Sequence, residues 1–353
     1  MKALRFHNRM DLRIEEIERP ATPTGDTAVV RVSYCGICGT DLHEYLAGPI
    51  FIPTEPHPAT GAKAPMILGH EFSGIIESCG PSVRSFKPGD RVAILPHLMT
   101  KGEFYARRNL GQFSPTVGLV GLSWHWGGMG EYVAVPEENL VFLPDNVSDV
   151  QGALLEPSAV AVNAIDEAKL RVGETVLITG AGPIGALTAL AARMAGASRI
   201  YVYDPNESRL SHLNEIDGLR LFSGPPDEML DVIATETGVG VDAAIECAGH
   251  ISAFNLCVDA LRHVGRLALV GLFTDKQQVD LFRLCEKGIR LLGCLGNDIT
   301  IGPRLARMIG SGNFPVEKMV TGTIRLDDAI ANGFDALSRP GTDHLKILID
   351  MRS

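Results

Sequence analysis

At 353 residues, with a formal charge of −10, a 45% hydrophobic fraction and 38 glycines, the chain has the size of two domains. Its make-up suits an α/β enzyme with many strand-to-helix turns, and the acidic balance excludes a nonspecific binder of nucleic acid or acidic membrane. No apolar stretch is long enough to span a bilayer, and Met1–His7 enters a strand pattern without a signal-peptide core, so the expected compartment is the cytoplasm.

Residues 1 to about 150 read as strands and turns. Alternating runs such as Thr27–Val32 and Arg91–Leu95 are separated by Pro/Gly-rich segments such as Lys87–Asp90. Cys38 falls in a Gly-rich turn, Cys35-Gly36-Ile37-Cys38-Gly39-Thr40-Asp41-Leu42-His43, and Gly69-His70-Glu71 and Leu155-Glu156-Pro157 follow. One thiolate, one imidazole and carboxylates gathered by folding form a ligand set suited to zinc. Three protein ligands with a fourth position open make a catalytic rather than a structural metal. Glu156 has an alternative role as a helix-start acid, since Ser158–Val162 reads helical. The other cysteines (Cys35, Cys79, Cys247, Cys257, Cys285 and Cys294) sit among apolar or small residues and are expected to pack as small hydrophobes.

From residue 171 to about 295 the pattern switches to repeated strand–helix units. Strand candidates are Val176–Thr179, Ile200–Tyr203, Ala243–Glu246, Arg266–Gly271 and Arg290–Leu295, and this alternation implies a doubly wound parallel sheet. The first strand leads into Gly180-Ala181-Gly182-Pro183-Ile184-Gly185, a helical pattern follows to about Ala195, and the second strand ends at Asp204. That is the context of a dinucleotide fingerprint. Its first glycine makes the tight turn, its second lets the pyrophosphate approach, its third lets the helix pack, and the helix N-terminus faces the phosphates. Asp204 can accept from the ribose hydroxyls and would repel a 2′-phosphate, which favours NAD over NADP. Its alternative is a strand-end surface charge. Arg209 lies near the ribose or adenine, or is a solvated helix charge, and Gly271 and Leu272 complete the candidate cofactor contacts. A helical pattern, Arg304–Ser311, and a last strand, His344–Ile349, close the chain. The division expected is 1–156 with 296–353 as one domain and 157–295 as the nucleotide domain.

These motifs, in this order, resemble the zinc-dependent medium-chain dehydrogenases/reductases over essentially the whole chain, and most of all their 2,3-butanediol dehydrogenase branch. The branch likeness rests on Gly48–Pro53, His57-Pro58, Leu68–Gly74, Gly118–Ser123, Gly152–Pro157 and Gly296-Asn297-Asp298. The resemblance implies a GroES-like, mostly-β catalytic domain beside a Rossmann domain. It also implies zinc, NAD, a small alcohol or ketone substrate, and a homodimer or homotetramer. Carried onto this sequence, the zinc ligands are Cys38, His70 and Glu156, with Glu71 as a carboxylate inside or just behind the ligand set. Thr40 is the hydroxyl that passes on the substrate proton and His43 the next relay, with a hydrogen-bonded turn histidine as its alternative.

Two departures from the family pattern stand out. Relatives carry four cysteines for a structural zinc in the stretch matching His97–Ser114, which has none here, so one zinc per subunit is expected. Trp124-His125-Trp126 is the other, either walling a substrate pocket or packing a loop. The activity implied is NAD-linked interconversion of a vicinal diol and its ketone, of the 2,3-butanediol/acetoin/diacetyl type. Sorbitol-type polyol and L-threonine 3-dehydrogenase are alternatives. Related polyol and amino-alcohol enzymes often place an arginine after the last Rossmann strand, where this chain has Gly296-Asn297-Asp298. A non-catalytic NAD-binding protein on the same scaffold would be expected to have lost the ligands, and all four are present.

Overall fold

The computed structural model describes residues 1–100, 102–339 and 341–352. They fall into two compact units, Met1–Glu156 with Asn297–Ser353, and Pro157–Gly296.

The first unit is built on a seven-stranded sheet. Its order runs Leu140–Phe142, Arg91–Ile94, Glu71–Cys79, Thr27–Gly36, Lys346–Asp350, Val320–Arg325, with Tyr132–Pro136 also paired to Thr27–Gly36. Thr27–Gly36 is rich in β-branched residues and mostly buried, as a strand with several partners must be. Its register sets Gly36 opposite both Glu71 and Leu348. A Cβ at Gly36 would lie 2.2 Å from Glu71 Oε2, so only glycine leaves room for that carboxylate. Phe6, Val30, Phe72, Ile94 and Ile347 are among the core residues of this unit. Each such side chain contributes about 1.5–3 kcal/mol by burial.

The Gly-rich segment after Cys38 is a helix, Gly39–Ala47, and not the turn expected from its composition. Asp41, Glu44 and Tyr45 are its buried residues, the i, i+3, i+4 spacing of one helix face. The expected helix Arg304–Ser311 forms as Gly302–Gly310. The expected terminal strand His344–Ile349 forms as Lys346–Asp350, antiparallel to Thr27–Gly36 and parallel to Val320–Arg325.

The second unit holds six strands, in the order Leu219–Phe222, Arg199–Tyr203, Thr175–Thr179, Val241–Glu246, Leu261–Leu269, Arg290–Gly293, and every pair is parallel. This is the doubly wound arrangement read from the alternation. Thr175–Thr179 is buried at every residue, as befits an inner strand of a parallel sheet. Leu219–Phe222 was not among the expected strands. It is a short, half-buried edge strand whose four residues show little apolar contrast with their neighbours. The strand expected at Arg266–Gly271 starts earlier, at Leu261, and ends at Leu269, so Gly271 and Leu272 lie beyond its end. Among the cysteines, Cys285 is exposed on helix Leu281–Lys287, which corrects its assignment as a packed hydrophobe; Cys79 and Cys247 are half-buried. No helix among the described residues is long and apolar enough to cross a membrane.

Candidate metal and nucleotide sites

The metal candidates converge at the start of strand Glu71–Cys79. One ligand atom from each of Cys38, His70 and Glu71 lies within 4.8 Å of the others, and this is the trio of potential metal donors found among the described residues. Glu156, in the first turn of helix Leu155–Glu167, is buried close enough to feel the charges of His70 and Glu71, but it lies outside that tight trio. Burial pushes its carboxyl up to about 7, with Glu71 raising it further and His70 and Lys346 opposing.

Two residues that sequence reasoning passed over organise this cluster. Asp41 Oδ2 accepts from the Cys38 backbone N–H at 3.0 Å, and its Oδ1 stands 3.5 Å from His70 Nδ1. The second contact is a charge attraction rather than a formed hydrogen bond, since both atoms otherwise lack partners. Burial alone would lower the His70 proton affinity, but Asp41 and Cys38 outweigh it and hold His70 well above the usual histidine range. Facing Nδ1 toward a carboxylate leaves Nε2 as the nitrogen free for a ligand, the usual arrangement behind metal-binding histidines. The second residue is Lys346, 2% exposed, whose Nζ donates to Glu71 Oε1 (2.9 Å), Glu71 Oε2 (2.7 Å) and the Ile37 carbonyl (3.0 Å). The signal for Asp41 was its place three residues after the helix N-cap. Lys346 gave none beyond a single cation opening an apolar strand.

The donor set fits a divalent cation. Asp41, Glu71, Glu156 and the Cys38 thiol are gathered around one imidazole, and Lys346 is the cation that faces them. A thiol, an imidazole and carboxylates brought together at one point suit zinc. Cys38 Sγ lies 3.7 Å from Thr40 Oγ1. Thr40 and His43, three apart on helix Gly39–Ala47, share one helix face.

The three fingerprint glycines have three different reasons. Gly180 adopts φ +90°, which disfavours any other residue. Gly185 lies inside helix Pro183–Met194, where a Cβ would sit 1.7 Å from the Gly180 carbonyl oxygen. At Gly182 a Cβ would meet no protein atom within 4 Å, so the open space there suits an approaching pyrophosphate. Gly182 is the helix N-cap, with no side chain to cap it, and Pro183 and Ile184 open the first turn. Asp204 is 3% exposed, which removes the surface-charge reading. Its Oδ2 accepts from Ala181 N at 2.8 Å and its Oδ1 from Asn206 N at 2.8 Å, tying the end of its strand to the glycine turn. Arg209 Nη1 stands 3.7 Å from Asp204 Oδ2, with the side chain 45% exposed. Gly271 packs against the Gly249 backbone and the Glu246 carboxylate, and the Leu272 backbone lines the other side of Gly249. Trp124 and Trp126 pack against the core of the first unit, and Trp124 Nε1 donates to the Ala134 carbonyl at 2.8 Å, so these tryptophans hold their loop in place.

Comparison with known proteins agrees with this architecture. Residues 24–145 match the alcohol dehydrogenase GroES-like domain and residues 183–310 the zinc-binding dehydrogenase domain. The chain belongs to the zinc-binding alcohol dehydrogenases of the medium-chain dehydrogenase/reductase family, and it is an enzyme of that type. It is 39% identical over 350 residues, covering 99% of both chains, to (R,R)-butanediol dehydrogenase of Bacillus subtilis. The crystal structure of 2R,3R-butanediol dehydrogenase from B. subtilis superposes with a TM-score of 0.91 at 38% identity, again covering 99% of both chains. Human sorbitol dehydrogenase is 32% identical over 336 residues, 93% of this chain and 90% of its own. A zinc-binding dehydrogenase from Sinorhizobium meliloti bound to NADP has a TM-score of 0.86 at 27% identity, over 99% of this chain and 98% of its own. Zinc and a nicotinamide cofactor therefore belong to the fold.

Proposed function

We propose that this chain interconverts a small vicinal diol and its hydroxyketone, of the 2,3-butanediol/acetoin type, with NAD and one zinc per chain. The observation that carries the reading is the convergence of half-buried Cys38 with buried His70 and Glu71 beside Glu156, in a chain that matches a butanediol dehydrogenase from end to end.

Cys38, His70 and Glu156 would hold the metal, and Glu71, with both oxygens on Lys346, supplies the adjoining negative charge. Zinc, when bound, would lower the proton affinity of the carbinol oxygen, and a bound nicotinamide would supply the hydride acceptor. Thr40 Oγ1 accepts the hydroxyl proton, and His43, one turn further on the same helix face, carries it onward. Asp41 keeps Cys38 and His70 in place. Asp204, buried at the end of its strand, binds the ribose hydroxyls and selects NAD. The absence of cysteine between His97 and Ser114 supports the single-zinc reading. The protein works as a homo-oligomer. The edge strand Arg290–Gly293, with Leu291 exposed, and the preceding helix, with Leu281 and Phe282 exposed at 69% and 75%, offer apolar surface for a second copy.

The test is zinc content per chain together with kcat/KM for butanediol stereoisomers, acetoin, diacetyl, sorbitol and threonine with NAD(H) and NADP(H). One zinc and a preference for the diol and acetoin with NAD support the proposal. Preference for sorbitol or threonine replaces the substrate, and no metal with no turnover removes the reading.

A further inference from the structure

Gly48–Pro53, one of the segments that carry the branch likeness, takes no part in the chemistry above, yet it is tied to the helix that bears the proton relay. The tie is Glu44, which is 0% exposed. Its Oε2 accepts from Ile50 N at 2.9 Å, and its Oε1 accepts from the backbone N–H groups of Phe51 and, at 3.3 Å, of Ile52. Gly48 N donates to the Glu44 carbonyl at 2.8 Å. A Cβ at Gly48 would lie 2.5 Å from Glu44 Oε2, so glycine leaves the carboxylate its room.

An acid in this position needs a reason. Glu44 stands in the last turn of helix Gly39–Ala47, where a carboxylate opposes the helix dipole, and a buried carboxylate is costly unless it is hydrogen-bonded. The three backbone N–H groups offset both costs. Packing holds the segment less firmly, since Ile50 is 49% and Phe51 42% exposed while Ile52 joins the core. Asp41 acts at the other end of the same buried helix face, accepting from Cys38 N and facing His70. Each relay residue immediately precedes one of these two acids, Thr40 before Asp41 and His43 before Glu44. Asp41 thus sets the helix against the metal cluster, and Glu44 fixes its far end against the Ile50–Ile52 backbone.

We propose that Glu44 is a positioning residue for the proton relay: by binding the Ile50–Ile52 backbone it fixes the direction of helix Gly39–Ala47, and with it the places of Thr40 Oγ1 and the His43 ring. The inference rests on the relay reading above. A short helix anchored at one end only lets these groups drift, and a displacement of about 1 Å can cost on the order of 10²-fold in rate.

The experiment measures kcat and KM in zinc-loaded wild type, Glu44→Ala, Glu44→Gln, Thr40→Ala and the double variant Thr40→Ala/Glu44→Ala. The substrate is whichever alcohol of the panel above the wild type oxidises best, and zinc content and amide hydrogen exchange of the 50–52 segment are read alongside. Glu44→Ala should speed exchange at Ile50, Phe51 and Ile52, keep its zinc, and lose about 10–100-fold in kcat with KM for NAD within about twofold. Glu44→Gln, whose amide oxygen still accepts, should recover part of that loss. In the Thr40→Ala background the same Glu44→Ala change should cost less than about threefold, because the group it positions is already gone. A purely structural role predicts instead the same loss in both backgrounds. Equal losses in the two backgrounds, unchanged exchange, a Glu44→Ala kcat within about twofold of wild type, or a loss that tracks a fall in zinc overturns the proposal. If Glu44→Ala does not fold, Glu44→Gln in the two backgrounds decides by the same ratio. Wild-type turnover in Thr40→Ala defeats the relay itself, and this inference with it.

Discussion

Replacing Lys346 by Met tests the electrostatic foundation of the metal cluster. Lys346 Nζ makes two contacts to Glu71, at 2.9 and 2.7 Å, and one to the Ile37 carbonyl, and both charged side chains are almost fully buried. Removing one partner of a buried ion pair costs about 3–5 kcal/mol, because the other charge is left uncompensated. In a unit of about 200 residues each kcal/mol moves Tm by about 2–4 °C, so Lys346→Met should melt about 10 °C lower. The double variant Glu71→Gln/Lys346→Met removes the stranded charge and should recover most of that loss. Thermal and urea unfolding by circular dichroism, at fixed zinc concentration, read both effects. A Lys346→Met protein within about 1 kcal/mol of wild type, or a double variant no better than the single one, would refute the reasoning.

Other expectations follow from single contacts. Gly185→Ala drives a Cβ to 1.7 Å from the Gly180 carbonyl and should cost about 1–3 kcal/mol of stability by urea unfolding. Gly182→Ala meets no protein atom and should leave stability within about 0.5 kcal/mol. In the same Gly182→Ala variant, NAD binding measured by fluorescence titration should weaken by on the order of tenfold, or 1.4 kcal/mol. Cys38→Ser and Glu156→Gln should lower the zinc content found by elemental analysis, whereas Thr40→Ala should keep the zinc and lose on the order of 10²-fold in kcat. Asp242 accepts from Thr175 N (2.9 Å), Thr175 Oγ1 (3.0 Å) and Arg262 Nε (2.8 Å). Burial would raise its pKa, but the Thr175 and Arg262 contacts outweigh it and hold the pKa below the ordinary 3.8. A depressed folded-state pKa contributes stability above 3.8 that is lost as pH falls through the folded value. Asp242→Asn should therefore cost about 1 kcal/mol near neutrality, after allowing for solvent screening, and the gap to wild type should close below pH 3.8.

The nucleotide fold was legible in the sequence because its signals are local. Thr175–Thr179 is an apolar β-branched run, the glycine turn follows at once, and Asp204 closes the next strand. Cys38 and His70 were legible as chemistry, since each stands in a short distinctive motif. What surrounds them was not. Helix Gly39–Ala47 opens on glycine and is short, so its composition reads as a turn; only the buried face of Asp41, Glu44 and Tyr45 reveals the helix. The Glu71–Lys346 pair joins residues 275 positions apart, and no window of sequence contains both. Cys285 shows the converse error, since apolar neighbours in sequence put it on an exposed helix face rather than in the core.

The terminal strand Lys346–Asp350 has a consequence for the order in which the molecule can be built. It lies between Thr27–Gly36 and Val320–Arg325, so Thr27–Gly36 gains this partner only after the whole of Pro157–Gly296 has been synthesised. Pro157–Gly296 is continuous in sequence and can fold as it leaves the ribosome, while Glu71 stays without its lysine until residue 346 has been made. The nascent chain thus passes through a stage with a formed nucleotide-type unit and an unfinished metal cradle. At that stage the Glu71 carboxylate has no Lys346 to pair with, and a chain stopped before residue 346 would leave it so.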